Sequence, residues 1–199
     1  MDNRNERELL KEAEQGIKAL FTLIGEDTAR QGLAETPHRF IKAIREITRT
    51  TGLDEKQFLV NVARSFDIGE YDQMVLVRDI PFRSLCEHHV LPFVGTVTIA
   101  YIPTKTEQGC KVLGLSKMAR IVDFYSSRLQ VQERLTAQIA TAMQQVINPV
   151  GVGVFIQSEH NCMALRGIKA VGANAQTLDV RGILREDLRA KEEFLSLVK

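Results

Sequence analysis

The sequence contains no tryptophan, and only three cysteines, three tyrosines and five prolines in 199 residues. Three thiols are too few, and odd in number, for the disulfide framework of a small secreted domain. No apolar run approaches the roughly 20 residues that a bilayer-spanning helix needs. The first fifteen residues are charged and lack the apolar centre of a signal peptide. The expected setting is therefore cytoplasmic, with no membrane partner. Neither sign of charge dominates: 26 basic residues face 25 acidic ones, for a formal net charge of +1. That balance argues against a general nucleic-acid surface, which needs a basic excess.

An apolar fraction of 44% is enough to build one substantial core. Residues 6–24 carry apolar side chains at helical spacing, from Leu9 and Leu10 to Phe21 and Ile24. Thr36-Pro37 predicts a second helix start, with Thr36 as cap and Pro37 at the first helical position. Asp54 predicts the cap of a third, shorter helix. After Gly69 the pattern becomes β-rich. Residues 74–80 form an expected strand that stops at Pro81, and residues 94–102 form a second. Residues 103–111 are expected to be a loop.

Two helices are predicted next, one capped by Ser116 and one over about 131–147. Strands at 150–157 and 177–184 and a last helix at 186–198 complete the order. Three helices, then β-β-α-α-β-β, then a helix predict an α+β fold with antiparallel pairing. Residues 1–68 are the expected N-terminal helical region and residues 69–199 the expected catalytic domain. A lone four-stranded sheet leaves edges and one face to cover, which oligomerisation can do.

The chemistry concentrates in two separated pieces, Cys86-Glu87-His88-His89 and His160-Asn161-Cys162. Cys86 and His89 have a spacing common among zinc ligands, and Cys162 can supply a third. Adjacent residues in extended backbone point apart, so one of His88 and His89 would ligate and the other face a substrate. Three protein ligands leave one position open, as in catalytic sites, where a bound water has its pKa lowered toward about 7. His160 then suits a general acid or base. The competing reading is a closed structural site with His160 or Cys110 as fourth ligand.

Between these pieces, Gly114-Leu115-Ser116-Lys117 places free backbone N–H groups, a hydroxyl and a cation at a helix start that favours phosphate. Arg120 lies three residues on, and Arg166 follows Cys162 by four. Arg39 is poorly placed for the dipole of its helix. A surface ion pair or a bound anion would explain it. Glu133 suits a helix first turn, and also suits a carboxylate gripping the N–H groups of a base.

These motifs, with Gln130-Val131-Gln132-Glu133-Arg134-Leu135 and Met163, Arg166 and Gly167, closely resemble the GTP cyclohydrolase I family. The likeness runs from about Glu35 to Gly167 and resumes around Glu192-Glu193-Phe194-Leu195. It implies a tunnelling fold (T-fold) and a homodecamer of two pentamers, with sites where subunits meet. It implies Zn2+ on Cys86, His89 and Cys162, with His88 and His160 transferring protons. Glu133 and Gln132 would hold guanine. Ser116, Lys117, Arg120 and Arg166 would hold the triphosphate of GTP, with Arg39 from a neighbouring subunit. The implied reaction opens the imidazole ring, releases formate and forms 7,8-dihydroneopterin triphosphate.

The sequence departs from the family at residues 172–179, where Thr177 alone represents a stretch usually rich in Ser and Thr. Glu159, beside His160, is a second departure: an acid there would either oppose an anionic substrate or raise the histidine pKa. These leave two alternatives: a divergent paralogue acting on another purine nucleotide, or a non-catalytic nucleotide-binding assembly protein with a structural zinc.

Overall fold

The computed structural model describes residues 3–198. The chain divides into two compact units, Met1–Arg49 and Thr50–Lys199. The first holds α1 (Asn3–Leu23) and α2 (Thr36–Ile47). Arg45 pairs with Glu6 at 2.8 Å and His38 with Glu14 at 3.1 Å, so ion pairs tie the two helices. Pro37 is the one fully buried residue of this unit among those described. Thr36 does not cap α2. Glu35 occupies the cap position, and the Thr36 hydroxyl donates to the Gly32 carbonyl at 3.3 Å.

The second unit begins with α3 (Glu55–Val62), and here the expected cap forms. The Asp54 carboxylate accepts from the Gln57 backbone N–H at 3.1 Å. The chain continues through β1 (Ser65–Ile68), β2 (Val75–Cys86), β3 (Pro92–Ile102), β4 (Lys105–Thr106) and β5 (Gly109–Leu113). Then come α4 (Leu115–Ser126), β6 (Leu129–Gln130), α5 (Gln132–Ile147) and β7 (Gly151–His160). It ends with α6 (Asn161–Ala164), β8 (Asn174–Gly182), α7 (Ile183–Glu186) and α8 (Leu188–Leu197).

The main sheet has five strands in the order β6-β2-β3-β7-β8, and β1, β5 and β4 form a small second sheet. The main pairings are antiparallel, with one parallel exception, where β6 meets β2 at Leu85↔Leu129 and Cys86↔Gln130. The α+β class and the β-β-α-α-β-β core thus stand as expected from the sequence.

Alternation along the strands explains the layering. Val97, Ile99 and Tyr101 of β3 and Val152, Val154 and Ile156 of β7 face α4 and α5. There they meet Met118, Ile121, Leu135, Ile139 and Met143, nearly all fully buried. Each such side chain contributes roughly 1.5–3 kcal/mol on burial. The opposite face carries a smaller cluster of Ala100, Leu184 and Phe194, which docks α8.

Several boundaries differ from the sequence reading. β2 runs through Pro81 to Cys86 instead of stopping. At Pro81 the strand has β3 on one side only, since β6 pairs just with Leu85 and Cys86, so no ladder donor is lost. A register shift between Val77 and Ile80, with Asp79 at φ 56°, absorbs the bend. Residues 103–111 are not a plain loop: β4 and β5 form a hairpin that buries Cys110. α4 is capped by Gly114, without a side-chain bond, and Ser116 sits inside the first turn. β8 begins three residues earlier than expected and ends at Gly182.

Candidate active site

The first half-motif is shaped by a tight turn. β2 ends at Cys86, whose carbonyl accepts from Val90 N–H at 2.8 Å and whose N–H donates to the Leu91 carbonyl at 2.9 Å. Val90 takes a left-handed φ of 54° to close this turn. Glu87 N–H donates to the Gln130 carbonyl at 3.0 Å, and the Glu87 carboxylate pairs with Arg134. The turn is thereby fastened to the start of α5.

The second half-motif arrives on β7, whose end, His160, pairs with Phe93 of β3. Cys162 then sits just after the strand, in the short helix α6. The result is a group of Cys86, His89 and Cys162 whose ligand atoms all lie within 4.8 Å of one another. Two sulfurs at about 2.3 Å from one tetrahedral zinc lie about 3.8 Å apart, so this cluster is the right size for an ion. Burial, and after it the neighbouring Cys86 thiol, push the Cys162 thiol pKa up, while Arg166 opposes the shift. Two thiols held together resist ionisation, and a cation between them removes that cost. This group could therefore hold a metal ion. Cys110 lies apart, buried on β5.

His88 does not join the group. Its Nδ1 lies 3.7 Å from Cys86 Sγ, and its ring stands nearly perpendicular to that of His89, at 81°. The two histidines thus diverge because they lie in a turn, not through strand alternation. Arg166 Nη1 lies 3.0 Å from His89 Nε2.

Beside the metal group is a cavity of about 350 Å³. Cys86, His88, Glu133, His160 and Cys162 line it with Gln132 and the β8 residues Ala175, Gln176 and Thr177. The departing segment of the sequence therefore forms part of the cavity wall. The His160 ring stacks on Phe93, with centroids 4.6 Å apart and planes 7° from parallel. Burial lowers the His160 pKa, and Glu133 opposes this. Glu159 is not the acid involved, contrary to expectation. Neighbours on β7 point to opposite faces, and the Glu159 carboxylate accepts from Gly172 N–H at 3.4 Å.

Gln132 is buried, and its amide is already occupied. Oε1 meets Ser158 Oγ at 2.7 Å and His160 Nε2 at 2.8 Å. Nε2 shares its two hydrogens among the carbonyls of Ile156 and Ala175 and Thr177 Oγ1, at 3.1–3.2 Å. Sequence reasoning missed Ser158, Thr136 and Thr177 in this network. One signal was available: Ser158 is two residues before His160 on the same strand face, and Thr136 is one helical turn after Gln132.

Glu133 is exposed at the first turn of α5, on the cavity wall. Ser116 and Arg120 are exposed on α4, with Lys117 half-buried, and none of the three lines the cavity. Arg39 is exposed on α2, in the first unit.

Comparison with known proteins adds a separate line of argument. A family profile described as GTP cyclohydrolase I matches residues 13–199. The chain is 49% identical to GTP cyclohydrolase 1 of a Synechococcus species over 185 residues, covering 92% of this chain and 76% of that one. It is 43% identical to the Thermoanaerobacter pseudethanolicus protein of the same name, covering 97% of each. It is 45% identical to that of Aquifex aeolicus, covering 93% of this chain and 94% of the other.

Proposed function

The chain belongs to the GTP cyclohydrolase I family, and from that membership we propose that it opens the guanine imidazole ring of GTP. Formate leaves, and the remaining atoms rearrange to 7,8-dihydroneopterin triphosphate. The fold is the tunnelling fold of that family. One observation carries the reading: a Cys86/His89/Cys162 group sits beside a cavity that His88, His160 and Glu133 also line.

Zn2+ is the ion that two thiolates and one imidazole suit. Held by Cys86, His89 and Cys162, it would supply Lewis acidity at a fourth, open position. The chain's own residues do the rest. Glu133 accepts N–H donors from the guanine edge. Gln132, whose amide is committed within the protein, supports that edge through the frame it builds around His160. His160 and His88 move protons to and from the purine, and the Phe93 stack holds the His160 ring in plane. Ser116, Lys117, Arg120, Arg166 and Arg39 bind the triphosphate through charge-assisted hydrogen bonds.

The protein acts as a homo-oligomer, a decamer of two pentamers, and its working compartment is the cytoplasm. The phosphate-binding α4 residues lie off the cavity wall, which supports a site completed by a neighbouring copy. Exposed Leu165, Ile168 and Val171 beyond α6 supply apolar surface for such a contact. No described helix is long and apolar enough to cross a membrane.

The test is direct. Zinc-loaded protein is incubated with GTP, and formate and the fluorescent pterin formed on oxidation are measured. Neither product from an assembled oligomer would refute the reading. A nucleotide panel then addresses the β8 departure, and GTP is expected to be the best substrate. Light scattering checks the decamer, and a monomer that turns over GTP would refute the shared site.

A further inference from the structure

The hydrogen bonds around Gln132 have determinable directions. The carbonyls of Ile156 and Ala175 can only accept, so the Gln132 atom facing them is its NH2. That fixes the amide orientation and turns Oε1 toward Ser158 and His160. An amide oxygen cannot donate, so His160 Nε2 must carry the hydrogen of the 2.8 Å contact.

Thr177 completes the circuit. The Thr136 hydroxyl donates to the Gln132 backbone carbonyl at 2.8 Å, which uses its single hydrogen. The 2.6 Å contact between Thr136 and Thr177 hydroxyls is therefore donated by Thr177. With its own hydrogen spent there, Thr177 Oγ1 is an acceptor for Gln132 Nε2, at 3.2 Å. The two carbonyls set the orientation of the amide, and Thr177, sharing the two NH2 hydrogens with them, helps to hold it there.

We propose that Thr177, Thr136 and Ser158 are positioning residues that hold His160 as its Nε2–H tautomer, so that Nδ1 is the nitrogen presented to the substrate. This deepens the reading above and rests on His160 being a proton-transfer residue. Among the described contacts Nδ1 makes no protein hydrogen bond, while Nε2 is committed to the frame. The role falls on Thr177, the one hydroxyl residue in the segment that departs from the family, because it sits on the edge strand β8 opposite Ile156.

The experiment uses the zinc-loaded protein labelled with 15N-histidine. Only four histidines are present, and His160→Asn assigns the signal. Neutral His160 is expected to show a protonated Nε2 and a bare Nδ1. Thr177→Val is expected to introduce the other tautomer and to lower kcat by about tenfold, with KM for GTP within twofold. Thr177→Ser, which keeps the hydroxyl, is expected to restore both. A native Nδ1–H tautomer would overturn the proposal. So would a Thr177→Val protein with normal kcat, or a Thr177→Ser protein as impaired as Thr177→Val. Should Thr177→Val not fold, Ser158→Ala removes the other hydroxyl from the frame and is held to the same criteria. A wild-type protein that makes no formate overturns the catalytic reading instead. The NMR spectrum then decides the tautomer alone.

Discussion

Gly95→Ala perturbs the sheet at the point where it carries the site. Gly95 lies on β3 opposite Ser158 of β7, two residues from His160. A Cβ at Gly95 would stand 1.9 Å from the Gln157 carbonyl oxygen and 2.6 Å from Ser158 Cα. These are backbone atoms of a central strand and cannot swing aside as a flexible side chain would. β3 and β7 must separate by about 1 Å or more, which strains the pair by about 1–3 kcal/mol as overpacking does. Stretching two ladder hydrogen bonds adds about 1 kcal/mol each.

The expected loss is about 3–5 kcal/mol, out of the 5–15 kcal/mol that a typical domain possesses. For a chain of this size that corresponds to a fall in Tm of about 10 °C. Thermal melts at one fixed protein concentration measure it, since assembly makes Tm concentration-dependent. Gly16→Ala is the matched control. Gly16 lies inside α1, and an added Cβ there meets nothing within 4 Å. That substitution should be neutral or stabilise by up to about 1 kcal/mol. A Gly95→Ala protein melting within about 2 °C of the wild type would refute the reasoning about the strand contact.

Other outcomes follow from the same geometry. Cys162→Ala should reduce bound zinc, measured by elemental analysis, to a trace and abolish formate release, while far-UV circular dichroism stays native. Chelation of the wild type should remove activity before it lowers Tm, because Cys86 and Cys162 are only two members of a core otherwise built mainly from apolar side chains of β2, β3, β7, α4 and α5; simultaneous loss would favour a structural site. Arg181→Met should cost about 2–3 kcal/mol in denaturant melts, since Arg181 bonds Asp179, Thr141, Gln144 and the Ala137 carbonyl across the α5–β8 seam. The exposed Glu87–Arg134 pair, by contrast, should show a coupling below about 1 kcal/mol in a double-mutant cycle.

The order of the main elements could be read from the sequence because each has its own period. Apolar residues recur at helical spacing in α1, α2, α4 and α5, and alternate in β3 and β7. The three candidate ligands were legible because Cys and His are scarce here and their spacing is distinctive. Pro81 misled because its tolerance depends on which side of β2 lacks a neighbour, a property of the sheet and not of the strand. Ser116 and Thr36 look like caps, yet α2 begins at Thr36 and α4 one residue before Ser116, with Glu35 and Gly114 in the cap positions. The hairpin at β4–β5 was hidden by its polar composition. The spacings of Ser158 to His160 and of Thr136 to Gln132 could be seen locally, but the Gln132 frame joins α5, β7 and β8, and no spacing within one element shows that the three meet.

The separation of the two half-motifs also has a consequence in time. Cys162 is synthesised 73 positions after His89. At about 5–20 residues per second, the ribosome takes several seconds to cross that interval. During it the nascent chain carries only two of the three candidate ligands. The third candidate ligand appears only when β7, the strand beside the edge strand β8, is complete. The full set of candidate ligands is therefore present only once four of the five strands of the main sheet have been made, with β8 still to come.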